Sequence, residues 1–191
     1  MQCETILNMI KQVSVLELFR LDGQVSVVTG GSQWLGFDVA NALAEAGSAV
    51  VITSRDHARG SVAAKDINQR HGVETLAVTA DQNEHVEIAK AVAEIVEWKG
   101  RIDVLVNNAG GGSGKSEGSL TLRDPIDAAN LIRTNLVGVL YWCQEVARHM
   151  IANQSGRIIN IASVAGLVGR DRKMYHTNQK TEQPVDYAAA K

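Results

Sequence analysis

The chain has 191 residues, 45% of them apolar, which is long enough and apolar enough to bury one sizeable core in a single domain. Its formal net charge of −2 argues against a basic face that would bind nucleic acid or an anionic membrane. The two cysteines, Cys3 and Cys143, lie far apart in the sequence, so they predict neither a disulfide framework nor a metal site.

Residues 1–18 are predicted to be a lead-in to a domain that spans residues 19–191. In the lead-in, Ile6, Ile10 and Val13 recur at helical spacing, which predicts a short amphipathic segment. The segment lacks a basic start followed by a continuous apolar run, so it is not typical of a signal peptide. No apolar run of the chain reaches membrane-spanning length, and we therefore expect a cytoplasmic protein with no membrane contact.

Five apolar, β-branched runs alternate with helical patterns along the rest of the chain. Near-continuous hydrophobicity is expected of strands that are buried on both faces of a parallel sheet. The predicted strands are Val25–Thr29, Ala49–Thr53, Glu74–Thr79, Ile102–Asn107 and Arg157–Ala162. The predicted helices are Gly36–Ala46, Asp56–His71, Glu84–Trp98 and Asp124–Ala152, followed by the candidate left-handed caps Gly47, Gly72, Gly100 and Gly156. The alternation predicts an α/β fold with a doubly wound parallel sheet.

The first strand-to-helix turn, TGGSQWLG at residues 29–36, is rich in glycine. Glycine lets the backbone approach a pyrophosphate, whose charge is met by N–H groups at a helix N-terminus. The signal is weak by itself, because a tight turn that binds nothing has the same composition. Trp34 stands where a third glycine is expected. If Trp34 starts the helix its φ is negative, and the indole could project away from a cofactor or lie along its edge, so we expect an open but altered site.

Four polar features follow at places where a doubly wound sheet carries ligand contacts. NNAG closes the fourth strand at residues 107–110, and Ser163 ends the fifth. Asn135 lies within a predicted helix, which is unfavourable for a residue that competes for backbone hydrogen bonds. Tyr187 and Lys191 are four residues apart and would share one helix face. Each feature taken singly also fits a plain turn, a kink or a solvated helix face.

Residues 19–191 resemble the short-chain dehydrogenase/reductase family. The family's motifs occur here in order: the Thr-Gly turn, NNAG, the helix Asn, the strand-end Ser and Tyr-x-x-x-Lys. The resemblance implies a Rossmann-type fold and hydride transfer between a nicotinamide cofactor and a secondary alcohol or carbonyl compound. It implies four catalytic residues, namely Tyr187 as general acid/base, Lys191 as its electrostatic partner, Ser163 as donor to the substrate oxygen and Asn135 as support for a water relay. It implies cofactor contacts at Thr29, Gly30, Ser32, Gln33, Leu35, Gly36, Ser54, Arg55, Asp81, Asn107, Ala109, Gly110, Tyr187 and Lys191.

Physical chemistry agrees with those roles. A free phenol has a pKa of about 10, which is too high for ready proton exchange at neutral pH, and a neighbouring ammonium group lowers it. The cofactor carries the hydride chemistry, and the fold positions it.

The end of the second strand, VVITSRD, bears on the choice between NADP and NAD. NAD-binding proteins usually have an acidic residue here that bonds the ribose 2′-hydroxyl and would repel a 2′-phosphate. Ser54 and Arg55 occupy the position, and a neutral residue beside a guanidinium suits a phosphate. Asp56 could reach the ribose if the turn were shifted. We therefore predict NADP, with NAD possible, and Asp81 resembles the adenine-contacting Asp of the family.

The segment between Ser163 and Tyr187 is longer than the family's usual connection, polar and mildly basic. It is either a lid or specificity loop beside the substrate or a floppy insertion. In this loop and in the glycine turn, the chain is most similar to polyol or sugar-acid oxidoreductases such as gluconate dehydrogenases; 3-oxo compounds are a further substrate class. The five histidines have no metal-ligand spacing, so no metal is predicted.

The chain stops at Lys191, where relatives continue through the catalytic helix and further strands. We therefore expect a sheet that is incomplete at its C-terminus. The chain would be either the N-terminal part of a longer oxidoreductase, homo-oligomeric in its full-length form, or a shortened protein that no longer catalyses. The alternative from another functional class is a nucleotide-binding or sensing module without turnover.

Overall fold

The computed structural model describes residues 14–112, 114–169, 171, 173 and 183–191. Its five strands form one parallel sheet in the order β3–β2–β1–β4–β5. The strands are β1 (Val25–Thr29), β2 (Ala49–Ser54), β3 (Thr75–Thr79), β4 (Val104–Asn107) and β5 (Arg157–Asn160). The strand order reverses between β1 and β4, so the predicted doubly wound sheet is confirmed, and the crevice beyond the carboxyl ends of these two strands is where such sheets bind ligands.

Helices cover both faces of the sheet. They are α1 (Val15–Leu18), α2 (Trp34–Glu45), α3 (His57–His71), α4 (His85–Lys99), α5 (Pro125–Ile132), α6 (Gly138–Ala152) and α7 (Val185–Ala190). A π-helical segment, Arg133–Val137, joins α5 to α6, and a 3-10 turn, Val164–Gly166, follows β5. No helix within the described ranges is long and apolar enough to cross a membrane.

Two apolar cores lie on opposite faces of the sheet, because successive strand side chains point in opposite directions. Val28 and Ile52 pack with the small residues of α2 and α3 on one face. Val27 and Val51 pack with α4 and α6 on the other face, where Trp142 is the largest buried side chain. The strands near the centre are thus held from both sides, which fixes the positions of the turns that follow them.

Three details of the predicted elements are wrong. The helix predicted over 124–152 is interrupted by the π-helical segment. β5 is exposed at all four residues rather than buried on both faces, and in the described part of the chain it pairs only with β4. Gly47, Gly72, Gly100 and Gly156 all have positive φ, but after α6 the residue with a left-handed helical φ is Gln154 (φ 52°), because Gly156 is nearly extended (φ 158°).

The lead-in is described only from residue 14 onward. Ser14 caps α1 through a reciprocal pair of hydrogen bonds with Glu17. The predicted helical positions 6, 10 and 13 lie outside the described residues.

Candidate functional site

A cavity of about 650 Å³ lies beyond the carboxyl ends of β1–β4, a volume typical of small-molecule sites. Ten of the predicted cofactor-contact residues line it: Gly30, Ser32, Gln33, Leu35, Gly36, Ser54, Arg55, Asp81, Ala109 and Gly110. Further lining residues come from the same turns and from four helical positions: Trp34, Thr53, Asp56, Arg59, Ala80, Gln82, Asn83, Asn108, Thr134 and Trp142. Four segments that are distant in sequence therefore converge on one cavity.

The glycine turn and the NNAG loop are bonded to each other. Thr29 Oγ1 accepts hydrogen bonds from the backbone N–H groups of Asn108 (3.0 Å) and Ala109 (2.9 Å), and Asn108 Nδ2 donates to Thr29 O (3.0 Å). A Cβ at Gly36 would lie 2.3 Å from Gly30 O and 2.4 Å from Asn108 Nδ2, so only glycine fits there. Thr29 is buried and outside the cavity lining, where it acts by joining the two loops.

The first turn of α2 faces the cavity. Its N-cap, Gln33, makes no side-chain hydrogen bond to the helix N–H groups. Helix N-termini carry unsatisfied N–H groups and a partial positive charge, which suit an anionic group. The turn can therefore meet a pyrophosphate with its backbone.

Trp34 departs from the sequence expectation. It does start α2, but its φ is +51° and not negative. A left-handed conformation costs a non-glycine residue roughly 1–2 kcal/mol, which explains why glycine is expected at this position. The indole is 82% exposed and contributes to the cavity rim, so it leaves the cavity open.

Two guanidinium groups lie at the β2 end of the cavity. Arg55 was predicted there, whereas Arg59, one turn into α3, was missed by the sequence reasoning. Arg59 Nη1 donates to Gln33 Oε1 (3.1 Å), and Arg59 Nη2 lies 3.4 Å from Asp56 Oδ2. Asp56 caps α3 by accepting from Arg59 N (3.0 Å). In the sequence Arg59 has no local signal of function, because an arginine near the start of a helix is also typical of a solvated surface.

The end of β3 supplies Asp81 and Gln82. Asp81 Oδ1 accepts from Asn83 N (2.9 Å), which forms a tight turn at the cavity wall. Gln82 Nε2 donates to Ala109 O (2.8 Å) and Thr134 O (2.6 Å), so it ties the NNAG loop to the π-helical segment. Gln82 was not singled out from the sequence, because a polar residue after a strand reads as an ordinary turn residue.

Asn135 explains the π-helical segment. Its side chain is buried, with Oδ1 accepting from Gly111 N (2.7 Å) and Nδ2 donating to Gly111 O (3.1 Å) and Leu131 O (3.0 Å). A helix residue that bonds a neighbouring loop in this way disturbs its own backbone ladder. The sequence correctly marked Asn135 as unusual, and the structure places it as the support of the loop after β4.

The 3-10 turn that follows Ser163 lies against the end of α7, the helix that carries Tyr187 and precedes Lys191. Ser163 Oγ accepts from Ala165 N (3.2 Å) and so caps the 3-10 turn. A Cβ at Gly166 would lie 2.5 Å from the backbone of Lys191, so this turn packs directly on the end of α7, which carries Tyr187 in its first turn.

Lys191 reaches the loop after β4. Its Nζ donates to Ile161 O (2.7 Å), and a Cβ at Gly110 would be 3.7 Å from that nitrogen and 2.6 Å from Asn135 Oδ1. Burial lowers the pKa of the Lys191 ammonium from its usual value of 10.5. Through Gly110, which lines the cavity, two of the four predicted catalytic residues, Asn135 and Lys191, adjoin the predicted cofactor contacts.

Asn107, like Thr29, Tyr187 and Lys191, is a predicted cofactor contact that does not line the cavity. Its buried amide Nδ2 donates to Asn160 Oδ1 (2.8 Å) and Cys143 Sγ (3.3 Å), and the residue is not part of the cavity lining. It links β4 to β5 and α6.

Within the described ranges no cluster of His, Cys, Asp or Glu could hold a metal ion.

Comparisons with known proteins agree with this geometry. Residues 24–180 match the family model described as short chain dehydrogenase. The chain is 35% identical over 162 residues to the 3-oxoacyl-[acyl-carrier-protein] reductase FabG of Aquifex aeolicus, covering 84% of this chain and 64% of that protein. It is 32% identical over 161 residues to the 5-keto-D-gluconate 5-reductase of Escherichia coli, covering 81% of this chain and 59% of that protein. The chain thus spans less than two thirds of the length of these relatives.

Solved structures are similar over nearly the whole chain. A gluconate 5-dehydrogenase from Burkholderia cenocepacia, in complex with NADP and tartrate, superposes with a TM-score of 0.80 at 36% identity, covering 92% of this chain and 63% of the other. An NAD⁺-bound xylitol dehydrogenase gives a TM-score of 0.78 at 28% identity, covering 89% and 60%.

Proposed function

Because this chain belongs to the short-chain dehydrogenase family, we propose that it acts in hydride transfer between NADP(H) and a secondary alcohol or carbonyl compound. The observation that carries the proposal is the position of Gly110. This residue lines the cavity on one side and adjoins Asn135 and Lys191 on the other. This contact supports the proposal, because it brings two of the predicted catalytic residues next to a predicted cofactor contact.

The residues of this chain fit a dinucleotide. Gly36 packs against Gly30 without room for a Cβ, so at these two positions the backbone itself lines the cavity. Arg55 and Arg59 supply two positive charges at the β2 end, while Asp56 is engaged as a helix cap. Guanidinium groups bind phosphate oxygens in forked geometry, which supports NADP. NAD stays possible, as a similar xylitol dehydrogenase is NAD⁺-bound.

Four residues of this chain take part in the proposed reduction, two of them directly on the substrate. NADPH, when bound, supplies the hydride to the carbonyl carbon. Tyr187 donates its phenolic proton to the carbonyl oxygen, and the Ser163 hydroxyl donates a hydrogen bond to the same oxygen. Lys191 holds a positive charge at the end of the Tyr187 helix, and Asn135 keeps the loop after β4 in place. The oxidation direction reverses the same proton transfer.

We propose a polyol, sugar acid or 3-oxo compound as the substrate. The support comes from similar proteins, which include a 5-keto-D-gluconate 5-reductase, an L-xylo-3-hexulose reductase and 3-oxoacyl-[acyl-carrier-protein] reductases. Four further proposals rest on the sequence and the resemblance. They are the lead-in at 1–18, the single domain at 19–191, homo-oligomerisation of the full-length form and a cytoplasmic location.

A second candidate function is a nucleotide-binding module without turnover. The strained, left-handed Trp34 in the phosphate turn favours it, since an enzyme under selection for close pyrophosphate contact has reason to keep glycine there.

Consumption of NADPH distinguishes the two candidates. We would assay 5-keto-D-gluconate, L-xylo-3-hexulose and a 3-oxoacyl thioester. The proteins are residues 1–191 and the same residues extended by the C-terminal segment of the Burkholderia cenocepacia gluconate 5-dehydrogenase. We expect turnover in the extended protein, faster with NADPH than with NADH. The 191-residue chain should be slower on the order of a hundredfold, because a six-residue α7 cannot hold Tyr187 as rigidly as a complete helix. NADPH binding without turnover of any substrate would favour the binding module.

A further inference from the structure

A buried ion pair joins the segment before α5 to the helix that carries Tyr187. Arg123 Nε donates to Asp186 Oδ1 and Arg123 Nη2 donates to Asp186 Oδ2, both at 2.9 Å. Each side chain is only 4% exposed. A forked contact of this kind fixes the rotation of the carboxylate as well as its distance.

Arg123 is itself held in place on the loop side. Its Nη1 donates to Ser116 Oγ (3.1 Å) and Ser116 O (3.3 Å), and lies 3.9 Å from Asp127 Oδ2. That carboxylate also accepts from the backbone N–H groups of Lys115 (2.8 Å) and Ser116 (2.7 Å). The pKa of the Asp127 carboxyl is lowered, mainly by a hydrogen bond from the Ser116 side chain and then by the hydrogen bond from the Ser116 backbone. The guanidinium that contacts α7 is therefore itself held by Ser116 on the loop and Asp127 on α5.

The helix α7 depends on contacts from outside itself. It has six residues, and its N-cap, Pro184, provides no side-chain hydrogen bond. A helix of this length is unstable by itself, because nucleation fixes several residues for each hydrogen bond formed. One end is held by the bond from Lys191 Nζ to Ile161 O, and the other end is held by Asp186.

A gain in folding stability does not by itself explain why a buried ion pair occurs here. Removing two charges from water costs several kcal/mol per ion, and a buried ion pair often stabilises the fold no more than a well-packed apolar pair would. What the pair does supply is a defined orientation, and Asp186 directly precedes Tyr187.

We propose that Arg123 and Asp186 are a positioning pair that fixes the direction of the Tyr187 side chain towards the turn capped by Ser163. The assignment of proton transfer to Tyr187 rests on the proposed function, whereas the positioning itself does not. Arg123 and Asp186 touch neither substrate nor cofactor in this proposal, and they act only through α7.

Fluorine NMR tests the proposal without any need for activity. The 191-residue chain is prepared with 3-fluorotyrosine at Tyr187 alone, and in a second sample at Tyr141 alone, which lies on α6 beside His85. We expect Arg123→Gln and Asp186→Asn to move the Tyr187 line towards its position in denatured protein while the Tyr141 line stays. Arg123→Lys, which restores the charge without the fork, should recover part of the shift. Arg101→Gln breaks another forked pair, with Asp103, and should move neither line.

Two results would overturn the proposal: an unmoved Tyr187 line in both single variants, or equal displacement of the Tyr187 and Tyr141 lines, which would indicate general loosening. If circular dichroism shows that Arg123→Gln fails to fold, the nearly isosteric Asp186→Asn decides alone. Because no substrate is involved, a failed activity assay leaves this result intact, and a failed NMR test leaves the proposed function intact.

Discussion

The guanidinium of Arg59 donates a hydrogen bond to Gln33 Oε1 at 3.1 Å and so joins the first turn of α3 to the glycine turn after β1. Asp56, the one carboxylate in this part of the cavity lining that could meet a ribose, accepts from the backbone N–H of the same arginine. The β2 end of the cavity therefore has two guanidinium groups against one carboxylate that is already engaged.

Arg55→Ala should weaken NADP binding by about 1.5–3 kcal/mol, the range for a hydrogen bond to a charged group, and leave NAD binding unchanged. Arg59→Ala should act in the same direction but less, because Asp56 offsets part of its charge. Fluorescence titration of the chain with both cofactors measures the effects. Arg70→Ala, on the same helix but paired with Asp66, is the control and should change neither affinity. Equal losses for NADP and NAD would contradict the assignment of a 2′-phosphate contact.

Trp34→Gly should stabilise the fold by about 0.5–1 kcal/mol, because relief of the left-handed conformation is partly offset by the greater freedom of glycine in the unfolded chain. Trp34→Ala keeps the unfavourable φ and should bring no such gain, which makes it the matched control. Urea unfolding measures both variants. Since the indole is 82% exposed, NADP affinity should change little. A marked loss of affinity in Trp34→Gly would show that the indole is a cofactor contact.

The sequence was sufficient to predict the order of strands and helices, and ten of its predicted cofactor contacts line one cavity. Runs such as Val25–Thr29 are buried on both faces, and that pattern is unambiguous. It was not sufficient for the φ of Trp34, because helix-starting residues usually have negative φ and nothing in the local sequence marks the exception.

Contacts between segments distant in sequence were the other gap. Arg59, Gln82 and Arg123 carry no local signal of function, and each acquires its role only through a partner from another part of the fold. Asn135 was the exception, since an amide in mid-helix is locally unfavourable and thereby announces a tertiary contact. The predictions for positions 170, 172 and 174–182 of the loop before α7 lie outside the described residues.

Asn135→Ala should destabilise the fold by about 2–3 kcal/mol, because it removes three hydrogen bonds worth about 1 kcal/mol each and leaves the backbone of Gly111 without them. Denaturant unfolding measures the loss. Asn130→Ala, one turn earlier and exposed, should cost less than about 0.5 kcal/mol. Equal effects of the two variants would mean that Asn135 does not support the loop after β4.

Lys191 should react with acetic anhydride at lower pH than an exposed lysine, because burial lowers its pKa from 10.5 and leaves more neutral amine at a given pH. Competitive labelling across pH, read by peptide mass spectrometry, measures the midpoint, with exposed Lys65 as the reference. The unfolded chain binds this proton more tightly, so stability relative to Lys191→Met should rise with pH through the window just below 10.5. Coincident labelling curves for the two lysines would refute the effect of burial.

Transfer of deuterium tests the central claim most directly. The extended protein is incubated with a ketone substrate and NADPH that carries deuterium at both C4 positions of the nicotinamide, and the product is examined by mass spectrometry. We predict one deuterium on the new carbinol carbon, and none in Tyr187→Phe although that variant still binds NADPH, because the ring is kept and only the proton donor is lost. Deuterium transfer that is unchanged in Tyr187→Phe, or absent from the extended protein despite tight NADPH binding, would contradict the account.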